Sequence, residues 1–209
     1  MTGRHVSDTI PGMTSTAPST TPCAPADVLD FWFDGARSRP EWFRKDEAFD
    51  EVIRVRFGAT LEAALAGALG AGWQGTPEAV LAQVIVLDQF TRNAHRGTPR
   101  AFEGDRRALA LATAMVDRGD DLRLAPAVRR QFVYLPFEHA EDLQAQRRSL
   151  HLFQALAAQD AQLASLPDWA QRHLEIIERF GRFPHRNLVL GRVSTAEELA
   201  FLQQPGSSF

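Results

Sequence analysis

The residues best suited to chemistry gather near the carboxy terminus. The stretch Arg179-Phe180-Gly181-Arg182-Phe183-Pro184-His185-Arg186-Asn187 runs on to Leu190-Gly191-Arg192, and no acid lies between Glu178 and Glu197. Phenylalanine favours burial, whereas arginine tolerates it only beside an anion. This loop therefore needs negative charge from elsewhere in the fold or from a ligand. The guanidinium fork matches a carboxylate or a phosphate, so Arg182 and Arg186 are candidate anion holders, with His185 and Asn187 beside them.

Three further polar residues fall on apolar stripes. Leu81, Val84 and Asp88 share one helical face, and Arg92 extends it by a turn. Leu135, His139 and Leu143 follow each other at a spacing of four, as do Trp169, His173 and Ile177. Asp88, His139 and His173 are thus expected to face the interior or a cleft. Matching parts are at hand: an acidic group of Glu138, Glu141 and Asp142, and a mixed group of Asp88, Arg92, Asn93 and His95.

Two readings stand. In one, these groups line a pocket for a small anionic ligand: His139 transfers a proton, Asp142 or Glu138 orients its ring, and Asn93 and Asn187 supply neutral hydrogen bonds. In the other they are a structural network locking helix ends together, and such networks imitate functional sites. Metal binding by His139, His173 and His185 with Asp88 or Glu138 uses acceptable ligand types. No compact ligand spacing supports it, and the nearby arginines would repel a cation. The sequence holds no Walker A loop, no G-x-G-x-x-G after a strand and no G-x-S-x-G elbow, and it names no cofactor.

The elements that must position these residues read as helices. Val28, Leu29, Trp32 and Phe33 mark a first helix from Pro25, which Gly35 can end, and Trp42 and Phe43 follow in a charged connector. A long helix is predicted from about Glu47 to Leu69, with Phe49, Val52, Ile53, Phe57, Leu61, Ala64, Leu65 and Ala68 as its stripe and Gly70 and Gly72 as its stop. Thr76-Pro77 starts a helix that is apolar almost all round through Leu87, as a central buried helix is. Later helices are predicted from Phe102 to Asp117, after Pro126, from Pro136 to about Ala158, and from Pro167 to a C-cap at Gly181; Phe132 to Leu135 could instead form a short strand. Thr195-Ala196-Glu197-Glu198 is a capping box for a short terminal helix. The expected class is all-α, built of stacked antiparallel helical hairpins.

The chain has 209 residues, and its length suits one domain over 23–209 behind a disordered tail at 1–22. A net charge of −3 offers no footprint for nucleic acid. The single cysteine, Cys23, excludes an internal disulfide and fits a reducing compartment. No segment reaches the roughly 18 uncharged apolar residues of a membrane span, so a cytoplasmic protein is expected.

Taken together, the motifs resemble domain-of-unknown-function family 924. They are Val28-Leu29-Asp30-Phe31-Trp32-Phe33, Leu87-Asp88-Gln89-Phe90-Thr91-Arg92-Asn93 with Arg96-Gly97, Pro136-Phe137-Glu138-His139-Ala140-Glu141, and Phe180 to Asn187. The resemblance covers about residues 26 to 203. It implies a helical fold similar to tetratricopeptide-repeat proteins and no established activity. That similarity favours a peptide- or protein-binding groove as the alternative to a small-molecule site, though a fold alone does not fix function.

Overall fold

The computed structural model describes residues 20–34 and 39–207. Most of the expected tail and Gly35 lie outside these. The described residues contain no strand, and the fold is all-α.

At the centre lies α3, Pro77–Ile85, capped by Thr76, whose side chain accepts from the Ala79 N–H. Leu81, Ala82, Val84, Ile85, Val86 and Leu87 are all buried, as an all-round apolar helix must be. It packs against α1 (Pro25–Phe33), α5 (Asp105–Asp117) and α6 (Arg130–Glu138). Trp32 of α1 meets Phe132 of α6 edge-on at 5.4 Å and Phe90 at 5.6 Å. Fully buried aromatic rings of this kind each contribute about 1.5–3 kcal/mol.

The second helix, α2, is Glu47–Ala66, and Gly67 ends it at φ 70°. It stops short of Leu69 because Gly67 takes the left-handed C-cap conformation that other residues resist. The helix predicted from Phe102 starts later, at Asp105, after a 3₁₀ turn over Pro99–Phe102. Pro136 does not open a helix. It sits inside α6, which closes through His139 N to Leu135 O at 2.8 Å. The strand alternative for Phe132 to Leu135 fails with it. After a short corner comes α7, Leu143–Ala157, and then α8, Leu166–Phe180, which ends at Gly181 with φ 68°. Thr195 and Glu198 form the expected capping box of α9, Ala196–Leu202.

Some residues assigned to inward stripes face water: Val52, Leu143 and Trp169 are all exposed. The break between α6 and α7 resets the helical phase, so Leu143 no longer follows His139. Trp169 lies in the first turn of α8, with Arg172 over its ring at 4.9 Å. No helix among the described residues is long and apolar enough to cross a membrane.

Candidate functional site

Asp88 owes its position to a local irregularity. Beyond Ile85 the central helix widens into a π-helical segment, Val86–Phe90, and resumes as α4, Thr91–Ala94. Such a bulge turns residues off the regular helical face and is frequent at functional sites. Thr91 Oγ1 steadies it by donating to Leu87 O at 2.8 Å. The N-terminal end of α5 presses on the same carbonyl. A Cβ on Gly104 would come within 2.1 Å of Leu87 O, so only glycine allows this approach. The next residue, Asp105, is thereby delivered to Arg92.

A ring of charge results. Asp88 Oδ1 lies 2.8 Å from His139 Nδ1 and 3.1 Å from Arg92 Nη1, and its Oδ2 accepts from Gln89 Nε2 at 2.6 Å. Arg92 in turn grips Asp105 with both arms, at 2.8 and 3.0 Å. The second arginine on Asp105 is Arg186, through one long bond of 3.3 Å. The Arg186 guanidinium lies 4.7 Å from the rings of both Phe102 and Phe183. Its Nε is buried with no hydrogen-bond partner.

Burial alone would raise the Asp88 carboxyl, but the Arg92 charge and the His139 ring outweigh it and hold it well below the usual carboxylate range. An ionised Asp88 can only accept, so Nδ1 of His139 carries the proton. Burial and then Arg92 lower the His139 pKa, and Asp88 restores only part. The ring is therefore neutral near pH 7, with its lone pair on Nε2. Among the described residues Nε2 bonds to no protein group and is not sealed from solvent.

Glu138 lies beside this pair, 4% exposed. Burial, and then the Asp88 charge, push its carboxyl up to about 8, so it is an uncharged acid near neutrality. Its contact with His173 Nδ1 at 3.4 Å is not an ion pair, because burial pushes His173 down to about 3. His173 Nδ1 instead bonds Trp169 O at 2.9 Å. His185, lowered to about 4 by burial and then Arg186, lies behind Phe183 at 5.6 Å between ring centroids. Burial and then Arg92 take Arg186 itself down to about 10. The corner carrying Glu138 and His139 is pinned by Gln146, whose Nε2 donates to Glu138 O at 2.5 Å and Ala140 O at 2.8 Å.

The structure thus gathers Asp88, Arg92, Glu138, His139, His173, His185 and Arg186. The other candidates serve elsewhere. Asp142 caps α7 by accepting from Ala145 N at 2.8 Å, and it is Asp88 that holds the His139 ring. Asn93 bonds Asp50 at 2.7 Å, a carboxylate also held by Arg96. Arg182 is clamped by Glu198 at 2.6 and 2.8 Å, and Asn187 reaches Ser194, Glu198 and Arg192. Asp105 was not foreseen, since an acid in the first turn of a helix ordinarily serves the helix dipole. The sequence signal for it is the neighbouring Gly104.

No group of three or more metal-ligating side chains among the described residues is arranged to hold a metal. Cavities of about 240 and about 500 Å³ border Met115 with Arg118 and Leu87 with Gly104, and neither is lined by Asp88, His139 or Arg186.

A search of functionally curated proteins returns no match. Among solved structures, the chain is similar to a protein of unknown function from Agrobacterium tumefaciens, with 40% identity and a TM-score of 0.75 over 86% of this chain and 96% of that one. Residues 28–206 match the model of a family described as bacterial protein of unknown function, DUF924. The chain belongs to that family.

Proposed function

We propose that the protein binds a small anionic molecule beside Asp88, Arg92, Glu138, His139 and Arg186, and transfers a proton on it. The observation carrying this reading is the Asp88–His139 pair: a neutral imidazole, fixed through Nδ1 by an ionised carboxylate, with Nε2 open. In this arrangement His139 is the proton carrier, loading and releasing a proton at Nε2 as the anion comes and goes, and Asp88 stabilises the imidazolium that forms. Glu138, held uncharged, is the matching proton donor; carboxyls driven apart in this way divide acid and base roles. Arg186 orients the anion, since its guanidinium has donors that the single bond to Asp105 leaves over.

A thermal-shift panel of small carboxylates and phosphates tests the reading. A binder at 100 times its Kd stabilises the fold by about 2.7 kcal/mol. That gain is expected in the wild type and lost in Arg186→Gln. Equal stabilisation of both, or of neither, counts against it.

The second reading is a peptide- or protein-interaction module in which the charges are struts. It is favoured by the outer arginines, each already committed: Arg179 to Glu197 at 2.9 Å, Arg182 to Glu198, and Arg192 to Glu141 at 2.6 Å.

A further inference from the structure

We propose that the occupant is a singly charged oxyanion such as a small carboxylate, and that it enters together with a proton that settles on His139. This rests on the site reading above and follows from the charges that surround the imidazole. The central helix contributes Asp88 and Arg92, and α5 contributes Asp105. Glu138 comes from α6, His173 from α8, and His185 and Arg186 from the loop after α8. Glu141, in the corner before α7, is closed off by Arg192 at 2.6 and 2.9 Å and by Phe183 N at 2.7 Å.

The two carboxylates Asp88 and Asp105 balance the two guanidiniums Arg92 and Arg186. Glu138, His139, His173 and His185 add no charge near neutral pH. A monoanion on Arg186 therefore adds a net negative charge to a buried ring that was balanced, which is costly. His139 is the group able to cancel it. A proton on Nε2 gives an imidazolium held between Asp88 on one side and the anion on the other. Glu138 cannot do this, because it already carries its proton. A dianion would leave one charge over, so the arrangement selects against it.

Calorimetric titration of the full chain with acetate, near pH 7.5 and in two buffers of different ionisation enthalpy, reads the proton count directly. The expected result is uptake of about one proton per acetate, with affinity falling up to about tenfold per pH unit above the titration of the free ring. Sulfate is expected to bind more weakly than acetate. Acetate binding without proton uptake, or tighter binding of sulfate, overturns the proposal and leaves the site reading intact. Failure of acetate to bind, or equal binding by Arg186→Gln, removes the site reading and the proposal with it. In His139→Gln, weaker binding without uptake is expected; uptake that persists there overturns the choice of His139. The wild-type measurement stands without any variant.

Discussion

Replacing Glu138 by glutamine tests the central electrostatic claim without knowledge of any substrate. Burial and the Asp88 charge raise the Glu138 carboxyl from 4.5 to about 8. The folded chain therefore keeps a proton that the unfolded chain has released above about 4.5. Folding takes up a proton across that interval, so this group makes stability fall as pH rises from about 4.5 to about 8, after which its effect is constant. At roughly 1.4 kcal/mol per pH unit, the full effect is on the order of 5 kcal/mol. The histidines run the other way. His139, His173 and His185 are lowered from 6.5, so their contribution grows with pH and is complete by about 6.5. The interval from about 6.5 to about 8 thus isolates Glu138 among these groups. Urea unfolding of the wild type and Glu138→Gln across it should show the variant gaining about 2 kcal/mol on the wild type. A difference that does not vary with pH would mean that Glu138 is already ionised at neutrality. It could then be neither the proton donor nor the neutral neighbour that the charge balance requires.

Other substitutions probe other parts of the same arrangement. Gly104→Ala places a Cβ 2.1 Å from a backbone carbonyl, and a loss of about 3 kcal/mol or more in chemical denaturation is expected; a near-neutral result would mean that α5 is free to shift. Asp88→Asn removes the charge that raises His139, so NMR titration should find that ring lowered further, with a stability loss of roughly 3–5 kcal/mol from the broken buried pairs. A rise of the His139 pKa would contradict the assigned geometry. Arg182→Ala should lower the thermal midpoint, because it strips Glu198 of its clamp. It should leave the rate at which diethyl pyrocarbonate modifies His139 unchanged, and a changed rate would tie the outer arginines to the site.

Helix types and most caps were legible in the sequence because they depend on local chemistry. Thr76-Pro77, Gly181 and the Thr195–Glu198 box each act within a turn of where they stand. The inward aim of Asp88, His139 and His173 was legible from spacing, although for His139 the helix ends one residue earlier and Leu143 was the wrong companion. What spacing could not supply was partner choice. The π-helical widening changes the phase at Asp88, and the Gly104 contact that delivers Asp105 joins elements distant in sequence. The loop arginines likewise resembled one another by composition. Only the fold distinguishes Arg182, turned to α9, from Arg186, turned to the ring.

That distinction bears on whether the ring is merely a strut. Arg182 shows what a strut looks like in this protein: a two-armed grip on Glu198 at 2.6 and 2.8 Å, with a third bond to Val193 O. Arg186 is more deeply buried, yet it has one bond of 3.3 Å, a buried Nε without a partner, and a pKa brought down to about 10. Glu138 is kept uncharged beside a carboxylate, where an apolar side chain would cost less. Stability alone does not favour either residue. Local rules that fail together at one place mark a functional site more readily than a structural one. The irregular helix at Asp88, the underused guanidinium and the uncharged acid all meet around the His139 imidazole, which Asp88 holds at Nδ1.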